Sequence, residues 1–344
     1  MTVATPSAHD NSGLVGLLEE HNVQPLWLRF HSIASREPQP MDNAMHWPWQ
    51  TMRPLVDRAV QEVPMEHAER RALVMANPEL GGRLITTGSM TGALQIIEPG
   101  ESADPHRHTA AAIRFILESE GAVTSVNGQG CEMRPGDLIL TPAWTWHGHV
   151  NNTGHRAVWF DGLDVPLVRF DVDAFFYEPG KDRAPPNALA ASGGGNGWNE
   201  AGMMDCQTAA SPAYSPKFRY SWQAAMRAIE SMSASPDGST LMRYVNPQTG
   251  GAVMPTMDCR LLHLAKGVET RPRRGTYSSV CVVAEGEGHS TVGDRKIAWK
   301  KNDVFTIPHW RWATHMAASP SASIFQMTDR ELYARLDLLR EEQQ

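Results

Sequence analysis

The chain has 344 residues, is 41% hydrophobic and 20% charged, and carries a formal net charge of −7. That length and balance describe a soluble globular protein with one large or two ordinary cores. No long basic stretch gives reason to expect nucleic acid as a partner, and apolar runs such as Ala72–Ala76 are far too short to cross a bilayer. Met1–Gly13 is polar and lacks the basic and apolar regions of a secretory signal. The four cysteines, Cys131, Cys206, Cys259 and Cys281, are scattered with no Cys-x-x-Cys spacing. A cytoplasmic protein with reduced thiols is therefore expected, with neither a disulfide framework nor a zinc site.

Residues 14–80 read as mostly helical. Leu14–Glu20 and Trp49–Val63 carry apolar residues at helical spacing, and Met65–Asn77 continues in helix formers. Pro38, Pro40, Pro48, Pro64 and Pro78 fall where helix boundaries are expected, and Pro54 argues that the second helix starts a few residues after Trp49. The texture changes after about Gly81. Short apolar runs follow (Leu94–Glu98, Ala111–Leu117, Ala122–Val126, Asp137–Leu140 and Ala157–Phe160), separated by turn pairs such as Pro99-Gly100, Asn127-Gly128 and Pro135-Gly136. Many short strands at regular spacing predict a β-sandwich or double-sheet jelly roll. Asp182–Trp198, rich in Pro and Gly, reads as a linker or surface loop. Ser221–Ser233 reads as a helix, and a second β-rich block runs from about Cys259 to Thr328.

The two β-rich blocks align with each other. Gly100 matches Gly267, Pro105 matches Pro272, Thr109 matches Thr276, and Glu120-Gly121 matches Glu287-Gly288. Pro142-x-Trp144-x-Trp146 matches Pro308-x-Trp310-x-Trp312. Because the four tryptophans recur in both copies, they are expected in the barrel cores.

The first block alone carries a histidine constellation. His106 and His108 stand two apart, so on a strand both point to one face. His147, on a later strand, can supply a third imidazole and leave half of a metal's coordination shell open. His149, two residues on, shares that face and competes with His147 as ligand; otherwise it is a neighbour able to hydrogen-bond the substrate or move a proton. In the repeat register His106 falls on Arg273, His108 on Gly275 and His147 on Ala313, so the second copy keeps the scaffold without the ligands. Arg114 lies six residues after His108, so alternation turns it inward, where it needs an anion: a substrate carboxylate or a core Asp or Glu. Asp161 either orients His149 or forms a turn before Gly162.

These motifs resemble the cupin superfamily. Its second motif, Gly-x5-Pro-x-Gly-x2-His-x3-Asn, is met by Gly136, Pro142, His147 and Asn151, with Trp144 in place of the second glycine. The first motif, from Gly100 through His106-x-His108, usually carries a Glu four or five residues later, where this chain has Ala112 and Ile113. That departure argues against manganese chemistry of the oxalate type. The helical arm, Pro105-His106-Arg107-His108-Thr109, and Trp144-x-Trp146-His147-x-His149 are together similar to gentisate 1,2-dioxygenases. Relatives of that group cleave salicylate, substituted salicylates or 1-hydroxy-2-naphthoate. The resemblance spans residues 14–330 and implies an all-β bicupin fold of two double-stranded β-helix barrels with a helical N-terminal arm.

The expected division is an arm over 1–80, a metal-binding barrel over 81–180, a linker and helical connection over 181–258, a metal-free barrel over 259–330 and a C-terminal helix over 331–344. The resemblance further implies one Fe(II) per subunit on His106, His108 and His147, no organic cofactor, and cleavage by O2 between the carboxyl- and hydroxyl-bearing carbons of a 2-hydroxybenzoate. Gentisate, opened to maleylpyruvate, is the first expectation; salicylate, 5-substituted salicylates and 1-hydroxy-2-naphthoate are alternatives, and a non-catalytic ligand-binding cupin is a further one. Arg114 is expected to neutralise the substrate carboxylate, His149 to assist proton and oxygen chemistry, and Gln95 to sit near the aromatic ring. Arg70 or Arg71 is placed either at the substrate's anionic edge or on a solvated helix face. A homotetramer is the assembly usual in the family.

Overall fold

The computed structural model describes residues 12–81, 83–180 and 213–344; the linker expected at Asp182–Trp198 and Cys206 lie outside the described residues. The chain divides into a unit ending at Gln39 and a second covering Pro40–Gln344. In the first unit, helices Ser12–Glu20 and Leu26–Ile33 bury none of their residues. No helix among the described residues is long and apolar enough to cross a membrane.

The second unit is built from four antiparallel sheets forming two barrels. In spatial order, the first barrel's six-stranded sheet is Arg219–Tyr220, Leu138–Thr141, Ala112–Glu118, Ala157–Leu163, Thr91–Ile97 and Ala72–Val74. Its five-stranded partner is Tyr177–Pro179, Ser102–His108, His147–Val150, Val123–Val126 and Gln129–Glu132. The second barrel repeats the plan. Its six-stranded sheet runs His46–Trp47, Val304–Ile307, Ser279–Glu285, Ser321–Thr328, Asp258–Ala265 and Ser239–Arg243. Its five-stranded sheet runs Arg295–Lys300, Glu287–Val292, Ala313–Ala317, Arg273–Gly275 and Glu341–Gln343.

One hydrophobic core joins the barrels. Phe115 and Phe160 from the first lie in the same buried cluster as Val280, Val282, Phe325 and Met327 from the second. The Phe115 and Phe325 rings stack at 4.3 Å, a little closer than the separation of about 4.5–7 Å usual for aromatic pairs. Gly162 makes the approach possible, because a Cβ there would lie 2.1 Å from the Met327 sulfur.

The expected boundaries shift because edge strands are exchanged. His46–Trp47, from the presumed arm, pairs with Val304–Ile307 of the second barrel. Arg219–Tyr220, from the presumed connection, pairs with Leu138–Thr141 of the first. Met65–Asn77, expected as one helix, is helical only over Met65–Ala68; Glu69 then adopts φ +48° and Ala72–Val74 pairs with Gln95–Ala93. Arg71 pins this turn through two bonds to Glu101 and one to the Val63 carbonyl. The helix Trp49–Glu62 starts at Trp49 after all, with Pro54 inside it. The Trp49 amide donates to Asp303 at 2.7 Å, so a residue of the second barrel caps the helix where no local side chain does. The C-terminal segment is not one helix: Arg330–Arg335 is followed by strand Glu341–Gln343, paired with Gly275–Arg273.

Gly136 sits in the Pro135-Gly136 turn at φ +83°, and a Cβ there would lie 2.5 Å from the Trp222 ring. Left-handed strain adds to overpacking, so Gly136→Ala is expected to cost roughly 2–5 kcal/mol. Urea denaturation would show it as a lower midpoint at unchanged slope.

Candidate metal centre

Strand Ser102–His108 runs antiparallel to His147–Val150 with His106 directly opposite His147. The pairing shifts register between Ala103 and His106, across Asp104-Pro105, and proline, with no N–H to give a ladder, belongs at such a bulge. The outcome is convergence. His106, His108 and His147 each offer a ring nitrogen, and these atoms lie within 4.8 Å of one another.

The second nitrogen of each ring is engaged. His108 Nδ1 faces the Ala110 carbonyl at 2.7 Å, and His147 Nδ1 faces the Thr145 carbonyl at 2.9 Å. A carbonyl only accepts, so both Nδ1 atoms carry the proton and both Nε2 atoms present lone pairs. His147 Nε2 is buried without a hydrogen-bond partner. At His106, Nδ1 and Arg70 Nη2 are in contact and both face the Asp104 carbonyl, at 3.4 and 2.6 Å. Burial first, then the guanidinium of Arg70, pushes His106 down to about 2. Burial pushes His108 down to about 4, and His147 and His149 also fall below the usual imidazole range. All four rings are thus held neutral, the form that ligates. These donors fit a divalent transition ion: three neutral nitrogens, an orphaned buried Nε2 and no carboxylate.

Around the triad the expected residues gather, with corrections. His149 is fully buried; its Nδ1 meets Thr124 Oγ1 at 2.9 Å and its Nε2 has no partner. Asp161 does not reach it. Asp161 and Arg114 are cross-strand partners, with Arg114 Nε 3.3 Å from Asp161 Oδ1, and Arg114 Nη1 donates to Thr141 at 2.6 Å. The core carboxylate weighed for Arg114 is therefore real, and two buried charges neutralise each other there. Gln95 is buried on its strand between Ala72 and Trp159. Arg70 borders a cleft of about 290 Å³ with Asp104, Pro105 and Tyr177. Arg71, tied to Glu101, belongs to the fold and not to a solvated helix face.

The tryptophans are not core. Trp144 is 40% exposed, and the Arg107 guanidinium lies over both Trp144 (4.4 Å) and Trp146 (4.8 Å) while bonding Glu178. The second barrel repeats this clamp with Arg274, Trp310, Trp312 and Glu342. Trp144 occupies the motif's glycine position at φ +60°, and Trp310 does the same at +58°. Stacking on arginine and a bond from the Trp144 amide to the His108 carbonyl (2.7 Å) offset that strain. Sequence reasoning also missed Phe175, stacked 6.2 Å from His108, and Tyr177, 5.7 Å from His106; an aromatic run, Phe175-Phe176-Tyr177, was the available signal.

Asp161→Asn would leave Arg114 charged and unpaired in the barrel. A loss of about 3–5 kcal/mol is expected in chemical denaturation.

Comparison with known proteins agrees with this geometry. The cupin domain model matches residues 93–165. Gentisate 1,2-dioxygenase 1 of Aquipseudomonas alcaligenes is 33% identical, covering 94% of each chain. The 5-aminosalicylate 1,2-dioxygenase of Comamonas sp is 35% identical over 93% of this chain and 87% of its own. Salicylate 1,2-dioxygenase of Pseudoaminobacter salicylatoxidans, in its gentisate adduct, superposes with a TM-score of 0.90 at 33% identity, covering 100% of this chain and 96% of that one. With relatives of that identity spanning nearly its whole length, a two-barrel cupin fold and a three-histidine centre, the chain belongs to the gentisate and salicylate 1,2-dioxygenase family of ring-cleaving enzymes.

Proposed function

We propose that the chain is an Fe(II)- and O2-dependent dioxygenase that opens a 2-hydroxybenzoate between its carboxyl- and hydroxyl-bearing carbons, with gentisate first among its substrates. The observation that carries this reading is the convergence of three neutral imidazoles in a buried barrel, with ligating atoms within 4.8 Å. His106, His108 and His147 would hold one iron per subunit, leaving its double positive charge undiminished and so favouring a chelating, acidic phenol. Ferrous iron bound there supplies the electrons that let O2 react with a closed-shell aromatic ring.

The protein's own groups do the rest. Arg114, with Nε beside Asp161 and Nη1 on Thr141, keeps Nη2 for the substrate carboxylate. Asp161 acts through Arg114, fixing its plane and offsetting its charge. Arg70, at the cleft, meets the anion on entry. Gln95 lies against the aromatic ring. Burial, then the field of Arg114, holds His149 neutral, so its free Nε2 makes a hydrogen bond to the substrate hydroxyl or to oxygen instead of storing charge. The barrel walls exclude water, which strengthens each of these contacts. The arm's two helices bury none of their residues, a surface that a second copy would cover; a cytoplasmic homo-oligomer, tetrameric as usual in the family, completes the reading.

Oxygen uptake by protein loaded anaerobically with Fe(II) is the test. Gentisate, and more slowly salicylate, 5-aminosalicylate and 1-hydroxy-2-naphthoate, should consume O2 with loss of ring absorbance; iron-loaded protein inert to all four would refute the proposal. His108→Ala should lose iron and turnover together. Arg114→Met combined with Asp161→Asn removes both buried charges at once and should raise KM about 10–100-fold, the worth of a charge-assisted bond.

A further inference from the structure

The second barrel encloses a cavity of about 380 Å³ at the position that the histidine triad occupies in the first. Strand register makes the correspondence. Arg273 pairs with Ala313 as His106 pairs with His147. His315 bonds Ser290 through Nδ1 as His149 bonds Thr124. Gln326 pairs with Cys281 where Asp161 pairs with Arg114. Ligand imidazoles and the inward carboxylate are gone from the second copy, and arginine has come in.

Arg260, Arg271, Arg273, Arg274 and Arg311 all line this cavity. Two are engaged: Arg274 with Glu342 at 2.7 Å, and Arg260 with Asp258 at 3.4 Å and the Tyr277 hydroxyl at 3.3 Å. Glu341, also on the wall, is bonded twice by Arg330. Asp237 accepts the Arg271 and Ser239 amides and the Ser239 hydroxyl. Arg271, Arg273 and Arg311 form no close ion pair among the described residues; Asp237 feels the charge of Arg273 and Asp42 that of Arg311, each without a direct bond between the side chains. A cavity lined by five guanidiniums, three of them outside any close ion pair, is complementary to an anion. One carboxylate satisfies one guanidinium bidentately, so more than one unpaired arginine calls for more than one carboxylate. Leu241, Leu262 and Ile307 supply an apolar wall that an inorganic anion would leave unused.

We propose that the second barrel is a binding site for a small aliphatic dicarboxylate, held by Arg273 and Arg311 inside the cavity and by Arg271 at its exposed rim. The site is separate from the iron chemistry of the first barrel and does not depend on it. Isothermal titration and thermal unfolding of the full chain with succinate, glutarate and inorganic phosphate at constant ionic strength test it. One dicarboxylate should bind per chain and raise Tm. Arg273→Ala and Arg311→Ala, each checked for folding by its own unliganded Tm, should weaken binding at least tenfold, and His147→Ala in the first barrel should leave it unchanged. Should an alanine variant fail to fold, Arg273→Gln keeps the bulk and should show the same loss. Binding by neither dicarboxylate, undiminished affinity in the arginine variants, loss of binding in His147→Ala, or a response to phosphate alone would each overturn the proposal.

Discussion

The pairing of strand Ser102–His108 with His147–Val150, His106 facing His147, is the constraint from which the chemistry of the first barrel follows. Alternation gives the strand two faces with two duties. Inward, His106 and His108 meet His147 from the neighbouring strand. Outward, Arg107 lies over Trp144 and Trp146 and bonds Glu178, so the same strand is clamped to the loop before His147 and to the edge strand Tyr177–Pro179. A slip of one residue would exchange the faces and scatter both sets at once. The half-buried clamp on the outer face therefore holds the register on which the buried ligands depend.

Electrostatics then decides the state of the rings. Burial is the leading cause at each of the four histidines; the Arg114 guanidinium acts in the same direction at all four, and that of Arg70 at His106, His108 and His149. A cavity hostile to imidazolium is receptive to a metal, because ligation needs the neutral ring. Carbonyls at Ala110 and Thr145 complete the preparation by accepting hydrogen bonds from the Nδ1–H groups, which leaves the Nε2 lone pairs free. Asp161 keeps this positive interior tolerable without entering the ligand set, since its carboxylate is spent on Arg114.

Local chemistry was legible in the chain, and long-range pairing was not. Strands such as Ala157–Leu163 and Ala112–Glu118 announced themselves by apolar runs between turn pairs, and the triad by its spacing. His46–Trp47 and Ala72–Val74 did not, because each is a strand only by virtue of a distant partner, Val304–Ile307 in one case and Thr91–Ile97 in the other. The cap on Trp49 by Asp303 is invisible for the same reason. Asp161 was expected either to orient His149 or to form a turn, and it lies beside Arg114 instead: alternation says which way a side chain points, while the neighbour across the sheet is fixed by register, which no local window contains. The tryptophans misled differently. Their recurrence in both copies marked a shared structural part, and that part is a half-buried cation clamp instead of a core.

The duplication separates scaffold from chemistry within one molecule. Whatever recurs in a barrel that lacks the ligands is explained by the fold alone. The arginine–tryptophan clamp recurs, and so does an aspartate that accepts a strand-entry amide, Asp164 for Ala111 and Asp329 for Ser278. The His149–Thr124 pair recurs as His315–Ser290. Hence the position of His149 needs no catalytic reason; what sets it apart from His315 is its company. One ring has Arg114 and the triad in the same interior, the other an arginine-lined cavity. The same backbone thus presents one interior suited to a cation and one suited to anions, and the change is confined to the inward positions of a few strands, where substitution alters the site without disturbing the ladder that supports it.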